Sequence, residues 1–278
     1  MSGRLECLAC KTVFSINDGI IVLMPQRKLN QQAQELELRE KVAQGYADFD
    51  SEKILEIISQ HHCLPVMSKR AGMFRAKFDT SQWLLDAGCG SGWCWRNTKG
   101  GNLVLLDFVF SNLKSAKRLL EGQSGILFIQ ADAACLPIKN DSLSAVWSVQ
   151  VTQHFPESIM SVFLKELKRT LKKDFMAQIY NLNPALFLRL FYALRGRRFH
   201  LKGNNGKMLV NRLSAKELLT IWNDFGGKRL RIGYSELFFH PDLRLKSKGR
   251  YIAVFEDFFN LIPWLSGLFA RQIQVVIF

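Results

Sequence analysis

Between Trp83 and Asp107 the chain reads as two apolar runs joined by a glycine-rich turn. Trp83-Leu84-Leu85-Asp86-Ala87 leads into Gly88-Cys89-Gly90-Ser91-Gly92, a short helix is predicted over 91–97, and Leu103-Val104-Leu105-Leu106-Asp107 follows. Short apolar runs bounded by glycine fit strands of a buried parallel sheet. The glycines allow a sharp turn and a close approach of ligand to backbone. The next helix offers unpaired N–H groups at its start. The acid ending the second run is placed to accept hydrogen bonds from two ribose hydroxyls. This is the nucleotide end of a doubly wound α/β domain.

The spacing selects the ligand class. A dinucleotide fingerprint, G-x-G-x-x-G, carries its acid about 20 residues on. Here the order is Asp86-x-Gly88-x-Gly90-x-Gly92, with a carboxylate at the head of the turn. That carboxylate disfavours a pyrophosphate and favours a ligand bearing ammonium and sulfonium charges. The D-x-G-C-G-x-G pattern resembles motif I of the class I S-adenosylmethionine-dependent methyltransferases.

The resemblance implies an α/β fold: a Rossmann-like, seven-stranded, doubly wound sheet with an N-terminal β-hairpin and helical extension. It implies S-adenosylmethionine as cofactor, with Asp86, Gly88, Cys89, Gly90 and Gly92 in the cofactor turn and Asp107 as the ribose-binding acid. Phe108, directly after that acid, could cover an adenine face. Ile126–Ala133 is the third strand and its exit, where Asp132 matches the family's acceptor for the adenine N6 amino group and Ala133 its backbone donor. Val149 and Gln150, at the exit of the strand over 144–151, would sit beside the cofactor. The Gln150-x-x-x-His154-Phe155 stretch resembles the motif after that strand in the small-molecule methyltransferases. His154 is the candidate general base, or else a residue that orients a loop.

A helix is expected from Thr152 through Lys173, then a fifth strand over 175–180. Asn181-Leu182-Asn183-Pro184 has the letters of a nucleic-acid amino-methyltransferase tetrad, but follows the wrong strand. An apolar and basic helix over 185–199 and a flexible basic loop over 202–207 come next. Ser214-Ala215-Lys216-Glu217 is a capping box that opens a helix closed by Gly226-Gly227. Strands over 230–237 and 272–278 bracket an aromatic-rich insertion, read as a helical cover on the sheet or as an interfacial surface.

At the front, Thr12–Ile16 and Ile20–Leu23 flank Asn17-Asp18-Gly19, a hairpin signal. Cys7-x-x-Cys10 could hold half of a tetrahedral zinc site. The segment looks like the second half of the zinc-ribbon-like domains that open some methyltransferases. Its second Cys pair is missing, so zinc would need Cys63, His61, His62 or another chain. Residues 27–59 read as polar and helical, interrupted at Gly45-Tyr46 and resumed as an amphipathic run over 51–58; the resemblance leaves Tyr46 either packing or lying near the methionine moiety. The expected division is a zinc-ribbon-like hairpin segment over 1–26, a helical cap over 27–80, and a methyltransferase domain over 81–278 with insertions near 184–212 and 238–270.

The chain has 278 residues, 48% of them hydrophobic, enough to fill a core, so a folded chain is expected. Its net charge of +14 suits a polyanionic partner, either RNA or an acidic membrane surface, or simply a basic surface. No apolar run reaches the ~20 residues of a spanning helix. No charged n-region and h-region pair is read at the front, so no signal peptide is expected, and scattered cysteines fit a reducing, cytoplasmic setting. The leading functional expectation is methyl transfer to a small-molecule, lipid or glycan-type acceptor. Alternatives are an rRNA or tRNA methyltransferase, and a non-catalytic cofactor-binding subunit.

Overall fold

The computed structural model describes residues 2–8, 10–24, 33–98, 100–202, 209–223, 225, 228–237, 239–241, 245–246 and 252–278. Most of the basic loop expected over 202–207, the Gly226-Gly227 helix stop and Phe238 lie outside the described residues.

Three N-terminal strands, β1 (Gly3–Glu6), β2 (Val13–Asn17) and β3 (Ile20–Val22), precede helices α1 (Ala33–Ala47), α2 (Ser51–Ser59) and α3 (Leu64–Arg75). Alternating strands and helices follow: β4 (Leu84–Ala87), β5 (Leu103–Asp107), α4 (Phe110–Leu119), β6 (Ile126–Gln130), β7 (Leu143–Val149), α5 (Glu157–Thr170), β8 (Leu171–Leu182) and α6 (Leu186–Leu194). The chain ends with α7 (Ala215–Trp222), β9 (Leu230–Ser235), β10 (Phe239–His240), β11 (Leu245–Lys246), α8 (Ile252–Phe259), α9 (Pro263–Phe269) and β12 (Gln272–Ile277).

One sheet runs in the order β1-β2-β3-β6-β5-β4-β7-β8-β12-β9. The seven strands from β6 to β9 are the expected doubly wound sheet; β4 to β8 are parallel and β12 runs antiparallel between β8 and β9. The N-terminal hairpin lengthens this sheet, because β3 pairs in parallel with β6. Its turn forms as expected, with Asp18 and Gly19 both at positive φ, 51° and 73°.

Each face of the sheet has its own core. On one, α5 and α7 bury Phe163, Leu167, Leu218 and Trp222 against Leu85, Val104, Val146 and Val275. On the other, Ile54 of α2, Met67 and Phe74 of α3, and Leu113 of α4 pack with Trp95 and Trp147. Apolar faces are thus covered on both sides, as a parallel sheet requires.

Several expected elements change. Helix α1 runs on through Gly45-Tyr46, where a break is expected, to Ala47. The helix over 91–97 is only a 3-10 turn, Trp93–Trp95, entered through Gly92 at φ 64°. Helix α3 packs against that turn, and Trp93 and Trp95 are buried there. The helix expected from 152 through 173 is broken: a 3-10 turn spans Thr152–His154, Pro156 caps α5, and β8 takes over at Leu171, which pairs with Leu143. Proline has no N–H to continue a helix through it. The helix over 185–199 stops at Leu194, where Gly196 turns the chain at φ 61°. Within the insertion, α9 packs on β9, with Gly267 against the Tyr234 ring, while Phe255, Phe258, Leu261 and Trp264 stay exposed, so the cover on the sheet is partial.

Candidate active site

The glycine turn is fixed by its neighbours. Gly88 and Cys89 donate their N–H groups to Leu106 O at 2.8 and 3.0 Å, tying the turn to the end of β5. Gly88 sits at φ 73°, and a Cβ there would lie 2.3 Å from Val151 Cγ2. Only glycine satisfies both constraints. Gly90, at φ 54°, faces open space. Cys89 is buried, which raises its thiol pKa.

Two carboxylates bracket this turn. Asp86 accepts the Trp95 indole N–H at 2.6 Å. Burial first, and the charge of Asp107 second, push its pKa up to about 7 against the indole's pull. Asp107 Oδ2 accepts the Gly90 N–H at 2.7 Å; Oδ1 accepts from Val109 N at 2.9 Å and Asn112 Nδ2 at 3.2 Å. Burial also raises its pKa, opposed by those N–H groups.

The helical cap reaches the same place. Tyr46 of α1 donates its hydroxyl to Asn112 Oδ1 at 2.7 Å. Burial and the nearby Asp107 and Glu40 charges push its phenol up to about 12. Glu40 accepts the backbone N–H of Ser111 at 3.1 Å and also its hydroxyl. Tyr46 therefore packs onto the start of α4 through the residue that holds Asp107.

The other expected residues lie along the same strand ends. Asp107 pairs with Gln130, and Ala131 N–H donates to Asp107 O at 3.1 Å, so Asp132 and Ala133 follow β6 beside Asp107. Asp132 Oδ1 accepts the Ala134 N–H at 2.8 Å, and both Asp132 and Ala133 are buried. Phe108 is half-buried, and its carbonyl accepts from Gln130 Nε2 at 3.1 Å. Val149 and Gln150 end β7 next to Val151, the residue against Gly88. Gln150 has φ 58°, and its enclosed amide nitrogen has no partner. A strained backbone and an orphaned buried donor thus coincide at this strand tip.

His154 is bound on both sides. Nδ1 lies 2.6 Å from Leu209 O, and Nε2 lies 3.3 Å from Gln153 Nε2. A carbonyl can only accept, so Nδ1 carries the proton and Nε2 faces an amide donor. Gln153 Oε1 accepts the Leu182 N–H at 3.0 Å, and Asn211 N–H donates to Gln153 O at 2.8 Å. The pair stitches the segment around 209–211 to the ends of β7 and β8. Asn183, in the misplaced tetrad, donates to Gly267 O and Ala270 O at 3.0 and 2.9 Å and holds α9.

At the same edge of the sheet lies a buried ionic cluster that sequence reasoning did not find. Glu236, at φ 58° and wholly buried, pairs with Arg271 at 2.5 Å and accepts the Cys63 N–H at 2.9 Å. Glu256 accepts the N–H groups of Glu236 and Leu237 at 3.0 and 2.9 Å, with Arg70 at 3.7 Å. Burial pushes Glu256 up to about 7. His62 stacks beside Trp93 at 5.2 Å, and burial holds its pKa down to about 3. A lone acid pair, Glu256-Asp257, inside the apolar run Ile252–Phe259 was the available signal.

Cys7 and Cys10 flank the turn from β1 to β2, with Cys10 Sγ 3.1 Å from Thr12 Oγ1. Among the described residues no group of three metal-ligating side chains forms. Cys63 packs with Val66 and Phe239, and His62 against Trp93, so neither joins the N-terminal pair. A hollow of about 510 Å3 opens on the α2–α3 side of the 3-10 turn, lined by Leu55, Leu64, Lys69, Trp93 and Arg96 among others.

Residues 85–175 match the family described as methyltransferase domain. No curated protein sequence matches the chain. The fold is shared with an S-adenosylmethionine-dependent methyltransferase from Thermotoga maritima, at 15% identity and TM-score 0.54, over 87% of this chain and 98% of that one. It is shared with DhpI in complex with S-adenosylmethionine and HEP, at 11% identity and TM-score 0.54, over 88% and 98%. A methyltransferase solved with the Trm112 activator of Haloferax volcanii aligns at 17% identity and TM-score 0.50, over 77% and 89%.

Proposed function

We propose that this chain, whose residues 85–175 match a methyltransferase domain, is a class I S-adenosylmethionine-dependent methyltransferase that methylates a small-molecule, lipid or glycan-type acceptor by in-line displacement. The cofactor, when bound, supplies a sulfonium-activated methyl group. One observation carries the residue assignment: two buried carboxylates, Asp86 and Asp107, meet at a glycine turn with their pKa values raised. Buried like charges favour a cationic occupant, which restores their ionised form.

In this reading Asp107 holds the ribose, Asp132 and Ala133 hold the adenine edge, and Phe108 covers its face. Gly88, Cys89, Gly90 and Gly92 let the ligand approach the backbone. Val149 and Gln150 line the methionine side, where the orphaned Gln150 amide finds an acceptor. Alignment of acceptor and methyl in a closed site contributes several of the ~7–11 kcal/mol available from orientation. His154 acts as a positioning residue for the segment around Leu209. The division into hairpin segment, helical cap and methyltransferase domain belongs to the same proposal, with Tyr46 and Glu40 as the cap's link to α4. So does a cytoplasmic location. Among the described residues no helix is long and apolar enough to cross a membrane.

An RNA acceptor is the second reading, favoured by the net charge of +14. Tritiated-methyl labelling of a fractionated cell extract separates the two. Label in small-molecule, lipid or glycan fractions supports the first; label in RNA, with a steep salt dependence of binding, replaces it with the second.

A further inference from the structure

Helices α6, α8 and α9 present large apolar side chains to solvent. On α6, Leu190 is 51% and Leu194 84% exposed; Phe258 of α8 is 64%, Leu261 75%, and Trp264 of α9 71% exposed. The helices are joined into one surface. Phe187 of α6 stacks on Phe269 of α9 with ring centroids 4.0 Å apart, and α8 runs into α9 through Asn260–Ile262. Asn183 anchors α9 at the C-terminal end of β8. The surface therefore lies at the sheet edge that carries Gly88, Asp107 and Gln150.

Apart from Asp257 of α8, which pairs with Lys69 at 2.6 Å, the exposed charges of this surface are basic. From Pro184 to Leu201 the sequence has four arginines, Arg189, Arg195, Arg197 and Arg198, and no acid. All four are exposed. A second copy of this chain would bring arginine against arginine across a two-fold axis. An anionic bilayer surface meets both requirements, taking the leucine and aromatic side chains below the headgroups and pairing the arginines with phosphate. We propose that α6, α8 and α9 form a docking surface for anionic lipid membranes, which sets the glycine turn facing the headgroup layer. This goes beyond the methyl-transfer reading and is tested apart from it.

The test is sedimentation of the full chain with vesicles of phosphatidylcholine alone and of phosphatidylcholine with 30% phosphatidylglycerol. Binding to the anionic vesicles should be at least tenfold tighter than to the neutral ones. Replacing the apolar surface (Leu194→Ser, Phe258→Ser, Trp264→Ser) or the charge (Arg189→Gln, Arg195→Gln, Arg198→Gln) should weaken it at least tenfold. Trp264 is the exposed one of the six tryptophans, so brominated lipid should quench wild-type fluorescence, and Trp264→Phe should abolish the quenching. That variant is conservative and keeps the test independent of folding. Calorimetry with S-adenosylmethionine on the same proteins reports the methyltransferase reading separately. No binding to anionic vesicles, equal binding by the variants, unquenched fluorescence, or a dimer broken by the apolar variant would each overturn the proposal.

Discussion

The Trp95 indole donates to Asp86 at 2.6 Å inside the sheet, so the acid that heads the glycine turn is held by an aromatic from the turn's own far end. Burial nonetheless keeps its pKa near 7. An unfolded aspartate ionises near ~4, so between ~4 and about 7 the folded chain binds more protons than the unfolded one. Stability contributed by this group is present below the lower value, falls as pH rises through the window, and is flat above it. Glu256 has the same sign. Urea unfolding should therefore show a smaller loss of stability from pH 5 to pH 8 in Asp86→Asn than in the wild type. Cofactor affinity in the wild type should rise with pH up to about 7, because a cation favours the ionised acid.

Gly88→Ala tests the turn. The added methyl meets Val151 at 2.3 Å in a backbone that disfavours side chains, and a cost of about 1–3 kcal/mol is expected in chemical unfolding. Adding Val151→Ala should recover part of it, since the contact is relieved while the φ strain stays. A stable Gly88→Ala with unchanged cofactor affinity would contradict the packing described.

Arg271 neutralises a carboxylate with no exposed surface. Arg271→Met leaves Glu236 buried and uncompensated, at about 3–5 kcal/mol. The double variant with Glu236→Gln should regain much of this, and a double-mutant cycle by urea unfolding measures the coupling.

His154 separates positioning from proton transfer. With Nδ1 committed to the Leu209 carbonyl, His154→Asn should change acceptor KM more than kcat and leave the pH profile of kcat without a lost basic group. Loss of a titrating limb in the pH–rate profile would make it a general base instead.

Much of the site was legible because its signal is local. Asp86 to Gly92 and Asp107 are separated by a single βα connection, so spacing alone placed them on neighbouring strands. The end of β6 was read through the family resemblance, and the Ser214–Glu217 box formed as written. What escaped depends on distant partners. The 3-10 turn at Trp93–Trp95 is short where α3, from upstream, packs against it. Lys172 and Lys173 read as the end of a helix, but Leu171 already pairs with Leu143. Glu236, Glu256, Arg70 and Arg271 come from four separate segments, and only folding makes them partners.

The most direct measurement is calorimetric titration of S-adenosylmethionine into the wild type and Asp107→Ala, with thermal melts of both. Losing a charged hydrogen-bond acceptor should cost about 1–3 kcal/mol of binding, roughly a five- to 150-fold rise in Kd, while the variant still melts cooperatively. Equal Kd values for the two folded proteins would contradict the placement of the cofactor at the glycine turn.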